Sequence, residues 1–204
     1  MLMASLGHRI ISFEPTPPTF VALAAGLAGN APNPSWDVRL VNAGISNASG
    51  SATIFVGPKN SGTGLTTGVG GAASSVFRRE KMRGATITEK GWQQYQIALT
   101  TLDEAVHEHV DLMKMDCQGH ELRALLGATK LIRDFGVSVI KFEFYPPGLR
   151  QVGDDPIALL HFLDTAGYDL FHNNVLLSPG KHFALLVDRF TGHFTDIVAR
   201  RRMI

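Results

Sequence analysis

Strand-length and helix-length apolar segments alternate along this chain, which predicts an α/β domain with a mostly parallel sheet and an antiparallel C-terminal edge. The most informative stretch is Asp111-Leu-Met-Lys-Met-Asp116-Cys-Gln-Gly119-His-Glu121-Leu-Arg-Ala-Leu-Leu-Gly-Ala128. Leu112, Met113 and Met115 suit a covered strand, and Leu122, Leu125, Leu126 and Ile132 recur at roughly helical spacing. Between them, Asp116, Gln118, His120 and Glu121 crowd polar chemistry at a strand's carboxyl end, where open α/β sheets bind ligands. Carboxylates also end two other predicted strands, at Glu14 and Glu143.

The elements follow in order. Residues 9–13 form a short apolar strand ending at Glu14-Pro15. Thr16 can cap the next helix, with Pro17 or Pro18 in its first turn, Phe20, Leu23, Ala24 and Leu27 as its apolar stripe, and Gly29-Asn30 as its stop. Strands are expected at 37–41, ending in Asn42-Ala-Gly44, and at 51–56, which is β-branched and aromatic. Order resumes with a strand at 94–99, a capping start at Thr100-Thr101, and a short helix up to His109. A buried strand at 138–142 ends at Glu143. Asp154-Asp155-Pro156 caps a helix with Ile157, Leu160 and Leu163 inward and Gly167 closing it. Residues 168–171 and 183–187 read as a hairpin-like edge around Ser178-Pro179-Gly180. With no internal repeat and no linker, 1–204 reads as a single domain.

Regularity stops at 57–91, which is rich in Gly, Ser and Thr; a loop this long is a lid, a binding loop or disorder. Within it Gly62-Thr-Gly64-Leu-Thr-Thr-Gly68 imitates a dinucleotide-binding fingerprint. The context is wrong, because those glycines should join a strand directly to a helix, with an acidic residue roughly 20 positions further on.

Composition sets bounds. A chain of 204 residues with 45% hydrophobic and 18% charged residues can bury a sizeable core and is not a disordered tail. A net charge of +1 gives no long-range attraction to nucleic acid or to an anionic membrane. The short basic clusters, at 78–83 and at Arg200-Arg201-Arg202, read as solvated surface. No apolar run reaches the length of a membrane span, and the N-terminus lacks a signal peptide's features. The one cysteine, Cys117, excludes an internal disulfide and suits a reducing compartment, so the expected location is cytoplasmic. Asn47-Ala-Ser49 matches a glycosylation acceptor but lacks the secretory context.

The strand-end residues carry alternatives. Glu14 is placed either to accept hydrogen bonds from two ribose hydroxyls or to sit favourably before a helix N-terminus. His120 is either a first-turn capping or surface residue, or a catalytic one. Cys117 is expected to pack, although a helix N-terminus can lower a thiol's pKa. Three carboxylates in one crevice could hold magnesium or calcium, but hydrogen-bonding roles are preferred and no metal is expected.

Thr101-Leu-Asp103 followed by the Asp111–Ala128 stretch resembles the core signature of the FkbM-type methyltransferases. Ile11-Ser-Phe-Glu14-Pro15, Leu40-Val-Asn-Ala-Gly44-Ile-Ser46, Gly50-Ser-Ala-Thr-Ile-Phe55, Ile140-Lys-Phe-Glu143 and Leu163-Asp-Thr-Ala-Gly-Tyr168 resemble further parts of that family, in its order and spacing. The resemblance implies a Rossmann-like class I methyltransferase sheet, S-adenosyl-L-methionine as cofactor, and O-methylation of a small-molecule or glycan hydroxyl acceptor. It implies that Glu14, Asn42 and Asp116 bind the donor, and that Asp116, His120, Glu121 and Glu143 position or deprotonate the acceptor. The family usually has glutamate where this chain has Gln118, which can hydrogen-bond but cannot act as a base. Measured against the family, the chain is expected to begin inside the helix that follows the first strand and its glycine-rich Asp-x-Gly-x-Asn-x-Gly turn. Two alternatives stand beside this reading: a non-catalytic relative that binds a ligand in the same crevice, and a nucleotide-binding oxidoreductase using Gly62–Gly68.

Overall fold

The computed structural model describes residues 2–29, 36–56, 64–67 and 93–203. They fall into two compact units: the first holds the described residues to Ile45 and from Ser49 to Thr100, the second Ser46–Ala48 and everything from Thr101 onward.

The first unit runs α1 (Leu2–Ser5), β1 (Ile10–Phe13), α2 (Pro17–Gly29), β2 (Val38–Val41), β3 (Gly44–Ile45), β4 (Gly50–Val56), β5 (Gly64–Thr67) and β6 (Gln93–Thr100). β1 and β2 pair in parallel, with Ile10 opposite Val38 and Phe13 opposite Val41. The paired prolines sit at the start of α2, as their lack of a donor favours. None of its residues is fully buried, and Val21 is 64% exposed. The other sheet has the order β3-β6-β4-β5. Antiparallel pairing sets Ala52 opposite Ile97 and Ile54 opposite Tyr95. That face forms a small core of Ala52, Ile54 and Ile97 with Tyr95 and Leu99 against it. On the other face the Gln96 amide donates to Thr53 Oγ1 at 3.0 Å across the same register.

The second unit runs α3 (Leu102–Ala105), β7 (Val110–Met115), α4 (Glu121–Leu126), a π-helical turn (Leu131–Phe135), β8 (Val137–Phe144), α5 (Pro146–Gln151), α6 (Pro156–Thr165), β9 (Tyr168–His172), β10 (Val175–Leu177), α7 (Lys181–Arg189) and β11 (Thr195–Arg201). Its sheet has the order β10-β9-β11-β8-β7. Ile140, Phe142 and Phe144 alternate along β8 with no exposed surface, while Lys141 and Glu143 point to the other face. Leu159, Leu160 and Leu163 of α6 and Ile197 and Ala199 of β11 are equally buried. The Tyr168 hydroxyl, sealed inside, donates to the Val137 carbonyl at 2.7 Å. Asp155 caps α6 as its sequence predicts, accepting from the Ile157 amide at 3.0 Å.

Several expectations need correction. The chain is α/β, but its pairing is mixed rather than mostly parallel: β1–β2, β3–β6 and β7–β8 are parallel, and the other pairs among the described residues are antiparallel. Residues 183–187 are helical, within α7, because Phe183, Leu186 and Val187 are the buried positions and that spacing is a helix's. The hairpin is instead β9–β10, turned by Asn173 and Asn174, both with positive φ. The basic residues at 200–202 are exposed, yet Arg200 and Arg201 belong to β11, an interior strand of the sheet. The helix expected up to His109 ends at Ala105, where Val106 turns extended and buries its side chain. Leu112 lies on β7, at one end of the strand order, and is 51% exposed rather than covered. The expected loop lies outside the described residues except for β5, whose Gly64–Thr67 backbone pairs with β4. An extended strand there is not the strand-to-helix turn of a phosphate cradle.

Candidate active site

β7 and β8 run parallel, so Asp116 and Glu143 emerge at the same end of the second unit's sheet. After Asp116 the chain makes a tight turn with Gln118 at φ 51° and Gly119 at φ 96°. The second is a glycine for two reasons. Its φ is left-handed, and a Cβ there would lie 2.5 Å from the Gly148 carbonyl carbon. The turn folds the Gln118 amide back over the strand ends, where Nε2 donates to Asp116 Oδ1 at 2.7 Å and stands 3.4 Å from Glu143 Oε2. Lys114 Nζ lies 3.4 Å from Asp116 Oδ2. Asp116, Gln118 and Glu143 are thus one cluster.

Burial, and then the Asp116 carboxylate, hold the Glu143 carboxyl above the usual carboxylate range. Such a group takes up a proton more readily than an ordinary glutamate. Glu121, the first residue of α4, has no exposed surface. Its Oε1 accepts from the backbone amides of Cys117 at 2.9 Å and Gly119 at 3.3 Å, while Oε2 is buried without a partner. Burial pushes its carboxyl up to about 7 against the pull of those amides, and Glu143 adds to the rise. His120 sits at the N-cap of α4, where burial and then the Arg123 guanidinium hold its imidazole down at about 4. It is therefore neutral at physiological pH. Cys117 is partly buried, and burial is the chief cause that pushes its thiol up to about 12, so little of it is thiolate at neutral pH.

Glu14 and Asn42 belong to the first unit. Glu14 Oε1 accepts from the Thr16 amide at 2.7 Å, and Asn42 Nδ2 donates to the Glu14 carbonyl at 2.8 Å. Asn42 thereby ties the end of β2 to the end of β1. The Glu14 carboxylate thus stands at the end of β1 directly before α2, with Oε1 engaged by the Thr16 amide.

Of the residues singled out from sequence, Asp116 and Glu143 are brought together, Glu121 lies beneath their turn, and His120 lies under the charge of Arg123. The bridging by Gln118 and the close approach of Gly148 were not foreseen. Pro146-Pro147-Gly148, directly after the Glu143 strand, was the available signal. Among the described residues no group of three or more His, Cys, Asp or Glu is arranged to hold a metal ion. A separate groove of about 660 Å³ on the second unit, lined by Ile132, Arg133, His161, Phe162 and Arg201 among others, includes none of these residues.

Fold and strand-end cluster define an α/β protein with an acidic, amide-bridged site. Its sequence matches the model of the methyltransferase FkbM domain over residues 2–170, so the chain belongs to the FkbM methyltransferase family. Among solved structures it is similar to a methyltransferase FkbM from Methylobacillus flagellatus KT, at 13% identity and a TM-score of 0.47. That alignment covers 94% of this chain and 36% of the other, so the chain spans little more than a third of that protein's length. No curated protein matches it. Among the described residues no helix is long and apolar enough to cross a membrane.

Proposed function

We propose that this chain is an S-adenosyl-L-methionine-dependent methyltransferase acting on a hydroxyl of a small-molecule or glycan acceptor, on a Rossmann-like framework. Family membership supports methyl transfer, and the observation that carries the hydroxyl reading is the Asp116–Gln118–Glu143 cluster at the strand ends. When bound, the donor supplies an electrophilic methyl group on a sulfonium. In the first unit, Glu14 accepts hydrogen bonds from the ribose hydroxyls, and Asn42 keeps the Glu14 backbone in place. In the second, Glu143 accepts the acceptor's hydroxyl proton, which its raised proton affinity favours. Asp116 orients that hydroxyl, and in-line displacement makes such alignment a large part of the catalysis. A nucleotide-binding oxidoreductase is disfavoured by the extended backbone at Gly64–Thr67.

The test is methyl transfer from isotopically labelled donor to a panel of hydroxylated acceptors, with calorimetry of S-adenosylhomocysteine binding. Glu143→Gln should lower kcat by about 10²–10⁴-fold and leave product-analogue binding unchanged. Glu14→Ala should weaken that binding by at least about tenfold, since charge-assisted hydrogen bonds are lost. No S-adenosylhomocysteine binding by the unaltered chain would overturn the donor assignment. Binding without transfer to any hydroxyl would favour the non-catalytic relative.

A further inference from the structure

We propose that Glu121 is a positioning residue, not a proton carrier: its carboxylate clamps the Cys117–Gly119 turn and so holds the Gln118 amide between Asp116 and Glu143. This rests on the strand-end cluster being the acceptor site.

The geometry ties one Glu121 oxygen to the turn, while Oε2 is buried without a partner. The residue has no exposed surface, and its Oε1 is occupied by two amides from the turn that precedes it. Those amides flank Gln118, the one non-glycine residue of the turn with a positive φ. A left-handed glutamine is a strained conformation that persists only where its surroundings fix it. Two supports are visible. Glu121 binds the amides on either side, and Gly119 is seated against the Gly148 backbone without room for a Cβ. The conformation so held turns the Gln118 side chain toward both strand ends. Gln118 thereby gives the two carboxylates a shared neutral donor and keeps like charges in fixed geometry without adding a third.

Glutamine at position 121 separates a clamp from a base, because its side-chain carbonyl still accepts the two amides but cannot take up a proton at neutral pH. Glu121→Gln should keep kcat within about threefold of the unaltered protein, whereas Glu121→Ala should lose about 100-fold in kcat, the scale of a small misplacement of reacting groups. Gln118→Ala should reproduce the Glu121→Ala loss, and the double variant should lose no more than either single one. Labelling of Cys117, the only cysteine in the chain, reads the turn without any activity. The unaltered protein, Glu121→Gln and Gln118→Ala should all react slowly and alike with an aromatic disulfide reagent, while Glu121→Ala should react at least about tenfold faster as the partly buried thiol opens. Should Glu121→Ala fail to fold, the Gln118→Ala and Glu121→Gln rates still decide. The clamp is overturned if Glu121→Gln is as slow as Glu121→Ala or labels as fast, or if Gln118→Ala retains full kcat. If the unaltered protein transfers no methyl group, the function proposed above fails, and Cys117 labelling still decides the clamp.

Discussion

Two adjacent side chains at the start of α4 are driven in opposite directions by the same burial. Glu121 rises from 4.5 to about 7, so the folded state binds more protons than the unfolded chain between those values. Its contribution to stability is therefore fully present below pH 4.5 and lost as pH rises through 7, on the order of 3 kcal/mol. His120 falls from 6.5 to about 4, so its contribution is present above pH 6.5 and lost as pH falls through 4. The two slopes oppose each other over the shared window, and urea midpoints should vary little there. Glu121→Gln should unmask the histidine, giving stability that drops on acidification from pH 6.5. His120→Gln should unmask the glutamate, giving stability that drops as pH climbs from 4.5 to 7. Identical pH profiles for the two variants would contradict the assignment. Backbone at the same turn gives a second test. Gly119→Ala meets both a left-handed φ and the Gly148 carbonyl, whereas Gly153→Ala at φ 90° meets nothing within 4 Å. The first should cost roughly 2–4 kcal/mol and the second about 1–2 kcal/mol by chemical denaturation.

At the level of elements, periodicity was readable where one face is buried and misleading where two periods overlap. The apolar run at 138–142 foretold β8 as a buried strand, and from Ile140 to Phe144 every second residue is sealed. Phe183-Ala-Leu-Leu-Val187 carries the strand's apolar density and the helix's i, i+3, i+4 spacing together, and the exposure of Leu185 (54%) shows which prevailed. Leu185→Pro should thus remove a helical hydrogen bond and cost about 3 kcal/mol, while Leu185→Ala should be nearly neutral. Equal tolerance of both would argue for an extended segment. β11 escaped the sequence reading because its inward residues are only Ile197 and Ala199, framed by charged neighbours. Burial also grades the strands energetically. Phe142→Ala on β8 should cost about 3–5 kcal/mol, and Leu112→Thr on the exposed face of β7 no more than about 0.5 kcal/mol.

Across the described residues burial differs between the two units, and that difference should set where the protein opens first. Among the described residues, the largest side chains with at most 1% exposure, among them Phe142, Phe144, Leu163, Tyr168 and Phe183, all belong to the second unit. In the first unit the residues of β1 are only half-buried and α2 is apolar with no buried residue, although the sequence pattern alone marked that helix as one with a greasy stripe. Sequence reports which side chains are apolar, and it does not report which of them are covered. The same limit applied at the candidate site. Strand-end carboxylates were legible because chemistry and position coincide in the sequence, whereas the Gln118 bridge depends on a positive φ that glutamine does not announce. Amide hydrogen exchange follows local opening, which is cheap where few apolar side chains are sealed. Amides of β8 and β11 should therefore exchange only through the most costly opening, near the global stability, and those of β1, β2 and α2 should exchange orders of magnitude faster. Mass-spectrometric exchange resolved by peptide measures this directly, and a uniform protection across both units would mean that burial does not grade their stability. If the tiers appear and Glu14 holds the ribose as proposed, S-adenosylhomocysteine should slow exchange in the first unit's peptides by the factor that its concentration and affinity dictate.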